Sequence, residues 1–404
     1  MKDKLAIHGG SKVRTQPMPA RNAFDNRELE IIKQVFAHYR CRNQDFGSQG
    51  HYEHLYTDAF VQYLETDGFA DAVNSGTSAL FVSLASLQLP SGSHVLVSPV
   101  TNPGTINAII LNQLIPVVVD SCPDSYVTNT AQFEERITDL TKAVIIVHIA
   151  GKTVSTIDEI IQVSREKGIF VIEDCSQAPG AKINGKKVGT FGDLSAFSTM
   201  YRKSLASGGC GGLVFTSSEK LYNLVCAYAD RGKPFGQPHF HHSDPTVFMF
   251  PALNLNQDEI SCAIGLSSLT KLDDLIKSRL NFLFDLRESI TRHSKVCNPS
   301  PISSGDSPFV YPISVDTDQI VCSKREFAQA LLAEGINLNP HYKEIVCEWH
   351  WVKPYLLDSF VTNNAIEYRD KTFNLYLNEN YGRQEVEDIV EAIVKVESIL
   401  YSKL

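Results

Sequence analysis

The chain has 404 residues, 43% of them apolar and 21% charged, enough to bury a large core and too apolar for a disordered polymer. Its formal net charge of -9, with no Lys/Arg-rich run, argues against nucleic acid as a partner, because neutralising phosphates needs a basic face. Nine cysteines without a Cys-x-x-Cys pair fit reduced thiols better than a disulfide framework.

No apolar run approaches the roughly 20 residues that span a bilayer. The start, "MKDKLAIHGG", lacks the apolar stretch of a signal peptide, so a cytoplasmic protein is expected. The length fits two domains, or one large α/β domain with a smaller appendage.

In chain order, "NSGTSALFVSLASL" (74–87) reads as a small polar loop opening a helix with Leu80, Leu84 and Leu87 on one face. "HVLVSPV" (94–100), "IPVVVD" (115–120), "KAVIIVHIAG" (142–151), "GIFVIEDC" (168–175) and "GGLVFT" (211–216) read as strands. "STIDEIIQVSREKG" (155–168) carries apolar residues at helical spacing and ends at glycine. Strands apolar on both faces and separated by helices predict an α/β fold with a mostly parallel central sheet flanked by helices. Functional groups then belong beyond the carboxyl ends of the strands.

From residue 259, "EISCAIGLSSLTKLDDLIKSRLNFLFDLRESI" reads as a long helical stretch, bent or broken. It leads into a smaller C-terminal α+β domain, with "PFVYPISV" as a strand and "REFAQALLAEG" and "QEVEDIVEAIVKVESIL" as helices. The expected division is a cofactor-binding domain over 1–262, with an N-terminal arm, and a small domain over 263–404.

Three stretches carry chemistry. "FSTMYRKSLASGGCGG" (197–212) holds Lys203 in a hydroxyl-rich segment that runs into four glycines. Glu173 and Asp174 end the strand "FVIED", where a parallel sheet presents groups to a ligand. At the start of the helix after "NSG", free backbone N–H groups and the helix dipole favour a phosphate, with the Thr77 and Ser78 hydroxyls able to add bonds.

Each has a plainer reading when taken singly: a surface lysine, an Asp closing a strand, a Ser/Thr helix cap. Together, a phosphate cradle, a strand-end carboxylate and a lysine among small residues are what pyridoxal phosphate needs. They supply an anchor, a partner for the pyridinium nitrogen and an amine to form the imine.

At these residues the chain resembles the DegT/DnrJ/EryC1/StrS family of sugar aminotransferases, fold type I enzymes that use pyridoxal 5'-phosphate and pass through pyridoxamine 5'-phosphate. The resemblance runs through "LAIHGGSKVRT", "NSGTSAL", "VLVSPVTNPGTINAI", "VHIAGKTVSTIDEI", "VIEDCSQAPGA", "GTFGDLSAFS" and "NLNQDEISCAIGLSSL", in family order and spacing. It implies that Lys203 forms the imine with the cofactor and moves the substrate proton, and that Asp174 pairs with the pyridine nitrogen. By the same likeness Gln177 lies beside the ring hydroxyl, Gly76 and Thr77 form the phosphate loop, and Ser198 binds the phosphate. Asn256, with Asn254 as the second choice, matches a position that reaches the phosphate of the neighbouring subunit, which implies a homodimer with a shared active site.

The chain departs from its relatives in places. Where they carry a ring-stacking aromatic, "TNPGT" places Asn102, so either stacking comes from elsewhere or the Asn102 amide meets the ring. "GGCGG" replaces a motif with an acidic residue and sets Cys210 near the lysine, where it is expected to be a small packing residue. The His239, His241 and His242 cluster has no accompanying thiolates or carboxylates at a metal-site spacing, and no metal is expected.

The implied activity is transfer of an amino group from glutamate or glutamine to a keto-sugar, nucleotide-activated, in making an amino sugar for a surface polysaccharide or a secondary metabolite. A sugar dehydratase on the same fold is the alternative, although relatives with that activity tend to have histidine where this chain has Lys203. A non-catalytic cofactor-binding protein is the other. Substrate groups are expected from 231–246, "YRCRNQDFG" and "NPHYKE".

Overall fold

A computed structural model describes residues 4–237 and 244–401. Seven strands form the principal sheet: β1 (Phe69–Val73), β2 (His94–Val97), β3 (Ile115–Val118), β4 (Thr141–Val147), β5 (Phe170–Asp174), β8 (Leu194–Ser198) and β9 (Gly212–Thr216), with a short hairpin of β6 (Lys182–Ile183) and β7 (Lys186–Lys187) outside it. Their order is β1-β9-β8-β5-β4-β2-β3, and β9 alone runs antiparallel to its neighbours. Helices lie in the crossovers, so central strands such as β2 and β9 are buried along their whole length. This is why they read as continuous apolar runs rather than alternating ones.

Two strands of the principal sheet escaped the sequence reading. "FADAV" (β1) and "LSAFS" (β8) are short, small and partly polar, with little strand propensity of their own. Their extended form comes from pairing with β9, which sits between them. The strands read from the sequence are shorter in the structure, two of them for visible reasons. "HVLVSPV" leaves the sheet after Val97, just before Pro99, and "KAVIIVHIAG" ends at Val147 because Ile149–Gly151 form a 3-10 turn with Ala150 at φ 61°.

The long helical stretch breaks into Glu259–Leu269 and Leu272–His293. At the break, buried Lys271 turns its ammonium to Glu28 (2.7 Å) and the Ala23 carbonyl (3.0 Å). The second helix spans two apolar clusters. Leu272, Ile276 and Leu280 belong to the core around the principal sheet, while Phe282, Leu283, Leu286 and Ile290 belong to a second core.

That second core covers an antiparallel sheet, β10 (Cys297–Pro299), β11 (Val310–Val315), β13 (Thr372–Tyr376) and β12 (Leu338–Asn339), in that order. The helices Lys324–Ala333 and Arg383–Leu400 pack on it. Between β12 and β13 the chain returns to the first core, where Ile345, Val346, Val352, Ala365 and Tyr368 are buried. Among the described residues, no helix is long and apolar enough to cross a membrane.

Candidate active site

An open cavity of about 760 Å³ lies beyond the carboxyl ends of the parallel strands. Its wall takes Ser75, Gly76 and Thr77 after β1, Thr101, Asn102 and Thr105 after β2, Val147 from β4, Asp174 and Gln177 from and after β5, Ser198 from β8, and Lys203 and Cys210 from the loop before β9. Of the residues singled out in the sequence, Gly76, Thr77, Asn102, Asp174, Gln177, Ser198 and Lys203 therefore come together.

Three are placed elsewhere. Ser78 is buried one turn into the helix Gly76–Ser86, where its hydroxyl donates to Asn74 Oδ1 (2.6 Å) and its N–H to the capping Ser75 Oγ (3.0 Å). Asn254 and Asn256 bond to one another (Nδ2 to Oδ1, 3.0 Å) away from the cavity, and Gln49 donates to Asn256 (3.3 Å).

The helix start at Gly76 leans on two strands. A Cβ on Gly76 would come within 2.6 Å of Ser198 Cβ, so the helix start and the end of β8 are in contact only because residue 76 lacks a side chain. A Cβ on Gly212 would strike the Ser75 carbonyl and approach the Gly76 nitrogen at 3.0 Å. With Ser75 as cap, the first intrahelical donor is Ala79. The Gly76 and Thr77 N–H groups are left at the positive end of the helix beside the Ser198 hydroxyl.

Asp174 is buried. Its Oδ2 accepts from the Thr105 hydroxyl (2.9 Å), itself bonded to Thr101 (2.7 Å), and its Oδ1 accepts from the Ser176 N–H (3.1 Å). Lys203 is also buried, and its ammonium lies 4.5 Å from the centre of the Phe309 ring. Burial pulls its pKa down from 10.5 to about 8, against the opposing pull of Asp174 and Glu344. Gln177 accepts the Ala150 N–H (2.7 Å), which uses the unusual backbone of the turn after β4.

Asn102 caps the helix Pro103–Leu111, its Oδ1 accepting from the Gly104 N–H (3.0 Å). The amide is thus held at the wall by a structural bond. Cys210 is exposed at this wall, which corrects the expectation of a packing residue. The histidines at 239, 241 and 242 lie outside the described residues. "YRCRNQDFG" packs on 256–259 rather than on the cavity, with Tyr39 donating to Glu259 (2.5 Å).

Behind Asp174, His148, Glu173 and Cys175 bring three potential ligand atoms together. Hydrogen bonds already occupy two of the three, His148 and Glu173. His148 Nδ1 accepts the Val154 N–H (3.2 Å), leaving Nε2–H to donate to Glu173 (3.2 Å), and Glu173 also accepts from the backbone N–H of Gly189, Phe191 and Gly192 (2.7–2.9 Å).

The sequence reading missed the group that holds the lysine loop. Arg279, fully buried, donates to Ser204 Oγ (2.8 Å), the Pro308 carbonyl (3.0 Å) and Glu379 (2.8 Å). From the N-terminal arm, Arg21 donates to the carbonyls of Tyr201 (2.9 Å) and Ser204 (3.0 Å) and to Glu379 (3.0 Å). Only their separation in sequence, up to 358 residues, hides this set. Thr105 was missed too, although Thr101 and Thr105 stand four apart across a helix start.

Comparison with known proteins agrees with this geometry. Residues 30–394 match the DegT/DnrJ/EryC1/StrS aminotransferase family. GDP-perosamine synthase of Escherichia coli O157:H7 is 32% identical over 232 residues, 57% of this chain and 61% of that protein, so the match spans less than two thirds of the relative. Helicobacter pylori PseC, an aminotransferase involved in the biosynthesis of pseudoaminic acid, superposes with a TM-score of 0.82 at 21% identity over 96% of this chain and all of that one. E. coli GDP-4-keto-6-deoxy-D-mannose-3-dehydratase with bound hydrated PLP superposes at 0.83 and 22% identity, over 93% and 98%. The shared fold, with one strand reversed in an otherwise parallel seven-stranded sheet, and the family match over most of the chain lead to one statement: the chain belongs to the DegT/DnrJ/EryC1/StrS aminotransferase family, fold type I enzymes dependent on pyridoxal phosphate.

Proposed function

We propose that this protein moves an amino group from glutamate or glutamine to the carbonyl of a nucleotide-activated keto-sugar, in the making of an amino sugar. The observation that carries the reading is the placement of Lys203 and Asp174 on the wall of one cavity, with a glycine-dependent helix start between β1 and β8. When bound, pyridoxal phosphate supplies an electron-accepting ring that stabilises the charge left when an amine loses its α-proton.

The residues present fit that group. The Gly76 and Thr77 N–H groups and the Ser198 hydroxyl are donors gathered for a phosphate. Asp174, steadied by Thr105 and Ser176, offers a buried carboxylate to a protonated ring nitrogen. Lys203 is the amine that attaches the cofactor and, once displaced, accepts and returns a proton at Nζ. A pKa near 8 leaves a useful fraction of that amine uncharged at neutral pH. Gln177 is held beside the site by the Ala150 N–H and by a side-chain hydrogen bond to the Tyr342 phenol.

Lys203 also favours transamination over dehydration, since it provides the attachment that a replacement by histidine would remove. The partner arrangement in this reading is a homodimer, with Asn256 and Asn254 reaching the neighbour's phosphate loop. The test is spectroscopic. Protein loaded with pyridoxal phosphate should lose its near-visible band on addition of glutamate or glutamine, and a keto-sugar nucleotide should restore it with formation of an amino sugar. Loss of water from the sugar without consumption of the donor would sink the reading in favour of dehydration.

A further inference from the structure

One acidic side chain acts on Lys203 and has no place in the scheme above. Glu344 lies in the segment that leaves the second core after β12 and pairs with the rim of the site. The Thr101 N–H donates to the Glu344 carbonyl (3.1 Å), the Val346 N–H donates to the Pro99 carbonyl (3.0 Å), and Val100 bridges Ile345. Thr101 is itself part of the cavity wall, so the backbone of residue 344 is fixed against it.

The side chain is less well provided for. Glu344 Oε2 is buried without a hydrogen-bond partner, whereas both oxygens of Asp174 receive donors. Leaving such an oxygen unsatisfied is costly, and more so when it is charged, so a nearby positive group is needed to offset it.

Lys203, on the same cavity wall as Thr101, is the positive group whose charge reaches Glu344, although the two form no ion pair. Burial raises the Glu344 carboxyl and the Lys203 ammonium lowers it again. In return, after burial has lowered Lys203, Asp174 and then Glu344 raise it. The groups facing Lys203 are thus Asp174 and Glu344. Those around Glu344 are Lys203 and the buried Tyr342 phenol, which burial and then the Glu344 charge push up.

We infer that Glu344 is a positioning residue for Lys203, a counter-charge fixed beside the cavity wall and beyond ion-pair contact, which favours the ammonium and sets when the amine becomes free to react. Asp174, already hydrogen-bonded, is then left to the ring nitrogen. The inference rests on reading Lys203 as the reactive amine, but its test does not require turnover.

Apoprotein is pulsed with acetic anhydride across a pH series, and acetylation of Lys203 is measured by mass spectrometry against that of exposed Lys220. Removing the carboxylate charge disfavours the ammonium, so Glu344→Gln should move the Lys203 midpoint down by about one pH unit. Glu344→Asp, which keeps the charge, should bring it back toward the parent value, and Lys220 should not respond. A purely structural role predicts the opposite ranking, with the isosteric Gln behaving as the parent and Asp disturbed. An unmoved or raised midpoint in Glu344→Gln overturns the inference. Failure of the parent enzyme to respond to any amino donor would instead sink the aminotransferase reading and leave this midpoint standing.

Discussion

Replacing Lys203 by methionine should stabilise the cofactor-free protein while abolishing its chemistry. The lysine is buried at the cavity wall, and its pKa falls from 10.5 to about 8 on folding. At about 1.4 kcal/mol per pH unit, holding this proton in the folded state costs about 3 kcal/mol. The sign follows from the depressed folded value. The unfolded chain binds the proton more tightly, so the penalty is complete below about pH 8 and disappears as the pH rises past 10.5.

Methionine fills a similar volume and carries no charge, so it escapes this penalty at every pH. Urea unfolding of the apoproteins should therefore give Lys203→Met an advantage of about 3 kcal/mol at pH 7, most of it lost by pH 10. The variant should also show no near-visible band with pyridoxal phosphate attached and no transamination. An advantage of equal size at both pH values would mean that packing, not the buried charge, is responsible. A variant less stable than the parent at pH 7 would refute the electrostatic argument outright.

Other consequences can be measured separately. Asp174→Asn keeps the shape and the Thr105 bond but loses the charge, and should lower kcat by about a hundredfold or more with a smaller change in cofactor affinity, read from steady-state rates and a spectral titration. Gly212→Ala should drive the Ser75–Gly76 turn off β9, weakening cofactor binding by at least about tenfold and destabilising the fold by about 1–3 kcal/mol. Unchanged binding would show that the turn does not form the phosphate seat. Cys210 is exposed at the cavity wall while Cys175 is buried with a strongly raised thiol pKa. Iodoacetamide should therefore modify Cys210 and spare Cys175, and pyridoxal phosphate should slow the reaction at Cys210 but not at exposed Cys41.

What the sequence made legible was local or periodic. The apolar runs of β2 to β5 announce a covered parallel sheet, and Lys203, Asp174 and the helix start after Asn74 carry recognisable side chains. β1 and β8 were hidden because small and polar residues such as Ala70, Asp71, Ser195 and Ala196 become strand through their neighbours, β9 for both and β5 for β8 as well. The supports of the site were hidden for a related reason. Thr105, Arg279, Glu379 and Glu344 are ordinary residues whose meaning depends on contacts over tens to hundreds of positions, and no spacing in the chain encodes those contacts. Cys210 misled because small residues beside glycines are commonly packed, whereas here the loop presents it to the cavity.

The pair Glu173–Asp174 shows how the fold decides between two chemically equivalent candidates. Successive residues on a strand face opposite sides of the sheet, so two adjacent carboxylates at the end of β5 cannot share a role. Glu173 turns toward His148 and accepts the backbone donors of the turn before β8, which fixes that turn and, with it, the direction from which β8 delivers Ser198. Asp174 turns toward Thr105 and the cavity. The two acids also differ in how they are satisfied. Glu173 receives four donors from the protein, while Asp174 receives two and keeps lone pairs for a ligand. A one-residue slip of β5 against β4 and β8 would exchange their positions, placing a longer, fully bonded carboxylate in the site and leaving the turn before β8 with the shorter one. The pairings Val147 with Asp174 and Asp174 with Ala196 hold that register. The chemistry of the site therefore depends on buried, unreactive Val147 and Ala196 as directly as it does on the acid itself.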